Sequence, residues 1–338
     1  MGCFGHTSWK KEFFMCTAIN LTTKDHYFGR NLDLEYFYEE TVTITPRNYP
    51  FLFRKMGRLD YHYAMIGMAY VVDGYPLYYD ATNEKGVSIA GLRFAGNAVY
   101  QEELEEKENI SPFELIPWIL SQCATMAEVK QVISRLNLVS IAFSEQLPLT
   151  PLHWMISYKE QSMVLECTKD GLQIYENKVN VLTNNPPFEL QMWNLSNYMG
   201  LSKDSQENRF SKKLELEEYS RGMGAIGLPG DLSSASRFVR GAFVLQNSIS
   251  AESEEESVGQ FFHVLGSVEQ QRGCVKLGEN KYEVSVYSSC CNTTKGIYYY
   301  VTYTNRQITA INMWKEDIES DIVVMYPLIK KQQIYMQN

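Results

Sequence analysis

The order of strand and helix signals along the chain predicts an α+β protein, with antiparallel sheets covered by helices. Three observations support this. Strand-rich runs fill the opening third, two helical patterns follow, hairpins return, a helical block comes next, and strands close the chain. The strands are linked by tight turns rather than by helical crossovers. No regular strand–helix–strand alternation of a doubly wound parallel sheet is present. Neither an internal repeat nor a low-complexity linker divides the sequence, so residues 15–338 read as a single domain.

The runs "CTAINL", "EETVTITPR" and "YAMIGMAYVVDGYPLYYD" are rich in strand formers, and "NEKG" (Asn83 to Gly86) is a hairpin turn. "SPFELIPWILSQC" places Ser111 at a helix N-cap, Pro112 at the first position and Glu114 at capping-box spacing. In "TMAEVKQVISRL", Val129, Val132, Ile133 and Leu136 recur at helical period. Hairpins return as "LHWMISY", "SMVLECT" and "LQIYE", joined by "KEQ" and "KDG" turns. A mostly helical block is expected from Phe188 to about Gln271, and the acidic run Glu252 to Glu256 reads as a solvated loop before a helix. The stretch "YEVSVYSSCC…TKGIYYYVTYTNRQITAINM" predicts a three-stranded meander.

Composition narrows the function. The 338 residues are 45% hydrophobic and 13% aromatic, which is ample for a core. A formal charge of -9 argues against a nucleic-acid partner, whose phosphates need a basic face. The seven cysteines form no C-x-x-C pair, so they read as reduced thiols in a cytoplasmic protein. Cys123, Cys167 and Cys274 read as small buried apolar residues. No run reaches the ~20 apolar residues that span a bilayer. Residues 1–14, "MGCFGHTSWKKEFF", lack a secretory cleavage site, and His6 stands where a myristoylation signal wants Ser or Thr.

Two patterns imply no cofactor or metal. "GMGAIG" (Gly222 to Gly227) fits G-x-G-x-x-G, but the following "LPGD" forbids the helix that a dinucleotide site opens. The five histidines show no zinc spacing, and His153 in "LHWMIS" reads as a strand residue with a satisfied ring.

The "MC" at Met15 and Cys16 raises a different chemistry. With everything before it removed, Cys16 gains an α-amine of pKa around 7.7–8.0 beside its own thiol. One residue then supplies both nucleophile and base. With the leader attached, the same nitrogen is an amide and accepts no proton. Translation starting at Met15 followed by aminopeptidase action, or self-cleavage of a pro-peptide, would expose it; the former is preferred. On spacing alone, an ordinary buried strand cysteine is the preferred reading.

"MCTAINL…YFGRNLD", "NEKG…AGL", "LHWMIS", "VLTNNP" and "GLPGDLSSASRF", in this order, resemble the choloylglycine hydrolase family of bile salt hydrolases and penicillin V acylases. The resemblance runs from Met15 nearly to the C-terminus. It implies a four-layer αββα N-terminal-nucleophile hydrolase, commonly a homotetramer, that cleaves amides without a cofactor. It implies Cys16 as nucleophile, Asp33 holding the α-amine, Arg30 beside the thiol, Asn184 in the oxyanion hole, and Arg237 fixing the charged cluster. Bile salt hydrolases carry Asn after "AGL" and penicillin V acylases Tyr; Arg93 departs from both. Alignment of the flanking motifs implies an apolar pocket lined by Leu32, Val72, Phe143 and Leu147. The stretches "FGRNLDLEYFYEE", "SIAFSEQLPLTPLHW" and "IYYYVTY" look closer to the bile-salt branch. The expected substrates are glycine- or taurine-conjugated bile salts. Penicillin V, an N-acyl homoserine lactone, or bile-acid binding without turnover are the alternatives.

Overall fold

A computed structural model describes residues 15–338; the leader and its expected removal lie outside the described residues. Fourteen strands form two large sheets. They are β1 (Cys16–Thr22), β2 (His26–Leu34), β3 (Thr41–Thr45), β4 (Met65–Val72), β5 (Tyr75–Asn83), β6 (Val87–Arg93) and β7 (Leu152–Tyr158). Then come β8 (Gln161–Thr168), β9 (Gly171–Glu176), β10 (Val181–Leu182), β11 (Val284–Asn292), β12 (Ile297–Thr302), β13 (Asn305–Asn312) and β14 (Val324–Pro327). A six-stranded sheet runs β10-β1-β2-β11-β12-β13, and an eight-stranded sheet runs β9-β8-β7-β6-β5-β4-β3-β14. Every neighbouring pair within both sheets is antiparallel, as the hairpin links predict.

The sheets bury their facing sides against each other through Ala18, Phe28, Ile66, Met68, Ala90, Leu92, Tyr287 and Tyr298, among others. Helices α1 (Leu115–Leu120) and α2 (Met126–Arg135) cover the eight-stranded sheet. Helices α3 (Phe188–Leu195), α4 (Ser234–Asn247) and α5 (Glu254–Gly266) lie on the helix side of the six-stranded sheet, where Phe188, Phe238, Phe261 and Val264 join its core. The result is the expected four layers, αββα.

Local chemistry accounts for the element boundaries. Helix α2 begins at a full capping box: Thr125 Oγ accepts from the Glu128 N–H at 3.3 Å, and Glu128 accepts from the Thr125 N–H at 3.1 Å. At Ser111 the acidic half of the box forms, Glu114 accepting from the Ser111 N–H at 3.0 Å. "NEKG" turns on Gly86 at φ +87° and "KDG" on Gly171 at φ +91°.

Three expectations are corrected. Residues 199–233 contain no α-helix, only a 3-10 turn at Met223–Ala225; Gly222 and Gly227 at positive φ and the Pro229–Gly230 pair break helical continuity. Glu254, Glu255 and Glu256 are the first turn of α5, behind an N-cap at Ser253, where carboxylates favour the positive helix end. Cys274 is exposed, whereas Cys123 and Cys167 are buried. Among the described residues, no helix is long and apolar enough to cross a membrane.

Candidate active site

Cys16 opens β1, directly opposite Leu32 on β2, and Ala18 stands opposite Arg30. Side chains alternate along a strand, so Cys16, Ala18, Arg30 and Leu32 share one face of the hairpin, and Thr17, Asn31 and Asp33 share the other. The first face meets the eight-stranded sheet: Arg30 Nη1 donates to the carbonyls of Tyr79, at 3.1 Å, and Gly91. The second meets the helices: Asn31 Nδ2 donates to the Leu265 carbonyl of α5 at 3.0 Å. Gly29, of the "FGRN" motif, lets β2 lie against β11, since a Cβ there would meet the Ser289 carbonyl at 2.0 Å.

Arg237 projects from α4 into the helix-side face and is fully buried. Its Nη1 donates to the Cys16 carbonyl at 2.7 Å and to Thr17 Oγ at 2.6 Å. Its Nη2 donates to Asn184 Oδ1 at 2.9 Å, and Asp33 lies 3.9 Å from Nη1. Asn184 Oδ1 also accepts from the Cys16 N–H at 2.7 Å. Asn184 Nδ2 donates to the Arg93 carbonyl at 2.9 Å and has a second N–H available. The structure therefore brings Cys16, Asp33, Asn184 and Arg237 together around one peptide unit, with Arg30 on the sulfur's side and the Arg93 backbone behind Asn184.

The electrostatics follow from burial. Burial pushes the Cys16 thiol up; the nearby Arg30 charge opposes it, as do the Asp33 N–H and Arg237. Burial raises Asp33 to about 6, against the pull of Arg237, a 2.5 Å hydrogen bond from Ser285 Oγ, and Arg30. The Asp33 N–H donates to the Met15 carbonyl at 3.0 Å, while Glu283 accepts from the Met15 N–H. Burial, reinforced by Asp33, lifts Glu283 to about 8.

The segment carrying Asn184 is pinned from several sides. Ser234 Oγ accepts from the Asn184 N–H at 2.8 Å, and Gln191 Nε2 donates to the Asn184 carbonyl at 2.9 Å. His153 has the satisfied ring expected of it: Nε2 bonds the Thr183 carbonyl at 2.8 Å and Nδ1 meets Glu166 at 3.0 Å. The sequence reading did not find Thr17, Ser285, Glu283, Ser234 or Gln191. Thr17 and Ser285 are marked only by polarity inside apolar stretches, and Ser234 and Glu283 lie among other polar residues that hide them.

Of the expected pocket residues, only Leu32 pairs with Cys16 across the strands. Val72 pairs with Tyr75, whose ring packs 5.7 Å from that of Phe143. Leu147 closes a turn with Ser144 in the same loop as Phe143. Phe113 and the Arg54 guanidinium complete this second, aromatic group.

The comparisons with known proteins agree with this architecture. A model of linear amide C–N hydrolases of the choloylglycine hydrolase family matches residues 16–326. A bile salt hydrolase/transferase of Lactiplantibacillus plantarum is 55% identical, over 96% of this chain and 100% of its own. The bile salt hydrolase/transferase of Clostridium perfringens is 38% identical, over 92% and 96%. A solved mutant of the conjugated bile acid hydrolase of Clostridium perfringens superposes with a TM-score of 0.88 at 37% identity, covering 96% of this chain and 100% of that one. Penicillin V acylase of Agrobacterium tumefaciens shares the fold, with a TM-score of 0.69 at 16% identity, covering 91% and 90%. The fold is that of the N-terminal-nucleophile hydrolases, and the chain belongs to the choloylglycine hydrolase family of linear amide C–N hydrolases.

Proposed function

We propose that the protein hydrolyses the amide bond of glycine- or taurine-conjugated bile salts, with Cys16 as an N-terminal nucleophile. The observation that carries this reading is the convergence of Arg237 and Asn184 on the peptide unit of Cys16, with Asp33 beside it. The likeness to bile salt hydrolases across nearly the whole chain supports the substrate class.

In this reading, the chain before Cys16 is removed and the Cys16 nitrogen becomes a primary amine. Asp33 and the Asn184 Oδ1 hold that amine. The amine takes the thiol proton, and the sulfur attacks the substrate carbonyl. The second N–H of Asn184 Nδ2 meets the oxyanion; a single such donor is typically worth about 3 kcal/mol. The ammonium returns its proton to the leaving glycine or taurine nitrogen, leaving a thioester. Water, deprotonated by the amine, cleaves the thioester and frees the bile acid. An amino acid amine in place of water would form a new amide, which fits the transferase in the relatives' names. Leu32, Val72, Phe143 and Leu147 form the apolar wall for the steroid. No step requires a cofactor.

Maturation in this reading follows initiation at Met15 and removal of that residue by an aminopeptidase. The enzyme works in the cytoplasm, consistent with its free cysteines, and assembles as a homotetramer. Large apolar side chains at Trp193, Met199, Phe210 and Tyr219 are exposed on one segment and suit burial between copies.

The test is amine release from a conjugated bile salt by wild type and Cys16→Ala, with penicillin V and an acyl lactone assayed in parallel. Wild type is expected to release glycine or taurine and Cys16→Ala to release none. Retained turnover in Cys16→Ala would end the nucleophile assignment. Faster cleavage of penicillin V or the lactone would end the substrate assignment. The mass of the purified protein checks maturation: an N-terminus at Cys16 is expected, and full activity with residues 1–14 attached would refute it. Light scattering reads the assembly state.

A further inference from the structure

Asp80 is a buried carboxylate on β5, facing the six-stranded sheet, and the scheme above gives it no part. Three hydroxyls from that sheet hold it: Tyr287 Oη and Tyr298 Oη donate at 2.7 Å each, and Ser289 Oγ donates at 3.3 Å. Ser289 Oγ in turn accepts from the Arg30 N–H at 3.2 Å, so a two-bond path joins Asp80 to the residue that carries the guanidinium. Strand geometry serves the same end. The β4–β5 ladder shifts register between Met68 and Ala69, leaving Tyr79 as the extra residue. The shift aims the Tyr79 carbonyl at Arg30 Nη1. Gly67 permits it, since a Cβ there would meet the Asp80 carbonyl at 2.1 Å.

A fully buried guanidinium needs a counter-charge. Burial works against the charge of Arg30, and Cys16, Tyr287, Asp80 and Asp33 outweigh it. The Cys16 thiol, pushed up by burial, offers no fixed negative charge, and Asp33 is engaged with Ser285 on the other face of the hairpin. Asp80 sits on the same side of the hairpin as Arg30.

We propose that Asp80 is a positioning residue: gripped by Tyr287, Tyr298 and Ser289, it keeps the Arg30 guanidinium beside the Cys16 thiol. This rests on Cys16 being the nucleophile. Burial raises the Asp80 carboxyl, and the Arg30 charge and the Tyr287, Tyr298 and Ser289 hydroxyls oppose it; Cys291, whose thiol is pushed by burial up to about 12, also faces Asp80.

The test compares mature wild type, Asp80→Asn and Tyr298→Phe, all with the exposed Cys274 replaced by Ser. Two measurements are made: steady-state kinetics on a glycine-conjugated bile salt, and the pH midpoint of Cys16 alkylation by iodoacetamide. Asp80→Asn is expected to lower kcat per titratable thiol about 10-fold with KM within about twofold. It is expected to raise the alkylation midpoint by about one pH unit, as loss of a nearby cation does. Tyr298→Phe should move both in the same direction by less, and it decides the matter should Asp80→Asn not fold. A lower melting temperature with kcat per thiol and midpoint unchanged would overturn the proposal, as would a midpoint that falls. The alkylation readout uses no substrate, so it separates this proposal from the substrate assignment, and Cys16→Ala tests the nucleophile independently.

Discussion

The two buried arginines at the site make opposite kinds of contact. Arg237 directs its donors to the Cys16 backbone and its neighbours: the Cys16 carbonyl, Thr17, Asn184 and the Leu232 carbonyl. Arg30 bonds two carbonyls through Nη1, but its Nη2 has no partner among the described residues. Unmatched buried donors are rare in folded proteins. Arg237 is a clamp on the Cys16 backbone, and Arg30 is a buried cation with one edge unmatched among the described residues. They lie on opposite faces of the β1–β2 hairpin, so Arg237 meets the Cys16 carbonyl from the helix side while Arg30 lies on the side of the Cys16 sulfur.

The largest expected effect is on the clamp. Arg237→Met leaves Asp33 buried with its paired cation gone, so a loss of about 3–5 kcal/mol in denaturant unfolding is expected, with activity falling as the fold weakens. Arg30→Lys should behave the other way round. It keeps a charge but loses the forked geometry, and a kcat drop of about 10²-fold is expected with unfolding shifted by less than about 2 kcal/mol. Equal stability losses in the two variants would erase the contrast between the two arginines.

Asp33 sharpens the comparison through pH. Its carboxyl, raised by burial to about 6, must be ionised to hold an ammonium, and it loses that charge as pH falls. In the mature enzyme the ammonium itself favours ionisation, so the acid limb of kcat/KM should lie at or below about pH 6. Asp33→Asn should abolish that limb and lower kcat; a limb that persists would assign it to another group. The smallest effect is expected from Thr17→Val, which removes one of the two acceptors of Arg237 Nη1. About 1 kcal/mol of stability should be lost, with kcat nearly unchanged.

Much of this was legible in the sequence, for identifiable reasons. Hairpins announce themselves in the composition of their turns, and "NEKG" and "KDG" both turn on glycines at positive φ. The capping-box spacing at Ser111 and the helical period of Val129, Val132, Ile133 and Leu136 are local signals, and they located both helices. The motif pattern named Cys16, Arg30, Asp33, Asn184 and Arg237, and the structure gathers them. What was not legible depends on register or on long-range packing. Residues 199–233 carry Leu214 and Leu216 in a helix-like composition, yet both are exposed, so no packed face supports a helix there. The extra residues in the ladders, at Tyr79 and at Val286 beside Asp33, leave no mark in the sequence. Ser285 and Asp80 become intelligible only once strands more than two hundred residues apart are paired.

The placement of β2 between β1 and β11 has a temporal consequence. The strand bearing Arg30 and Asp33 is made early in synthesis, but its neighbour Val284–Asn292 leaves the ribosome only near the end. Arg237, which grips Cys16 from 221 residues downstream, also arrives late. A nascent chain therefore carries Cys16 long before Arg237 and β11 are present to surround it. Such dependence on distant pairing also predicts slow folding, since the first strands must wait for the last.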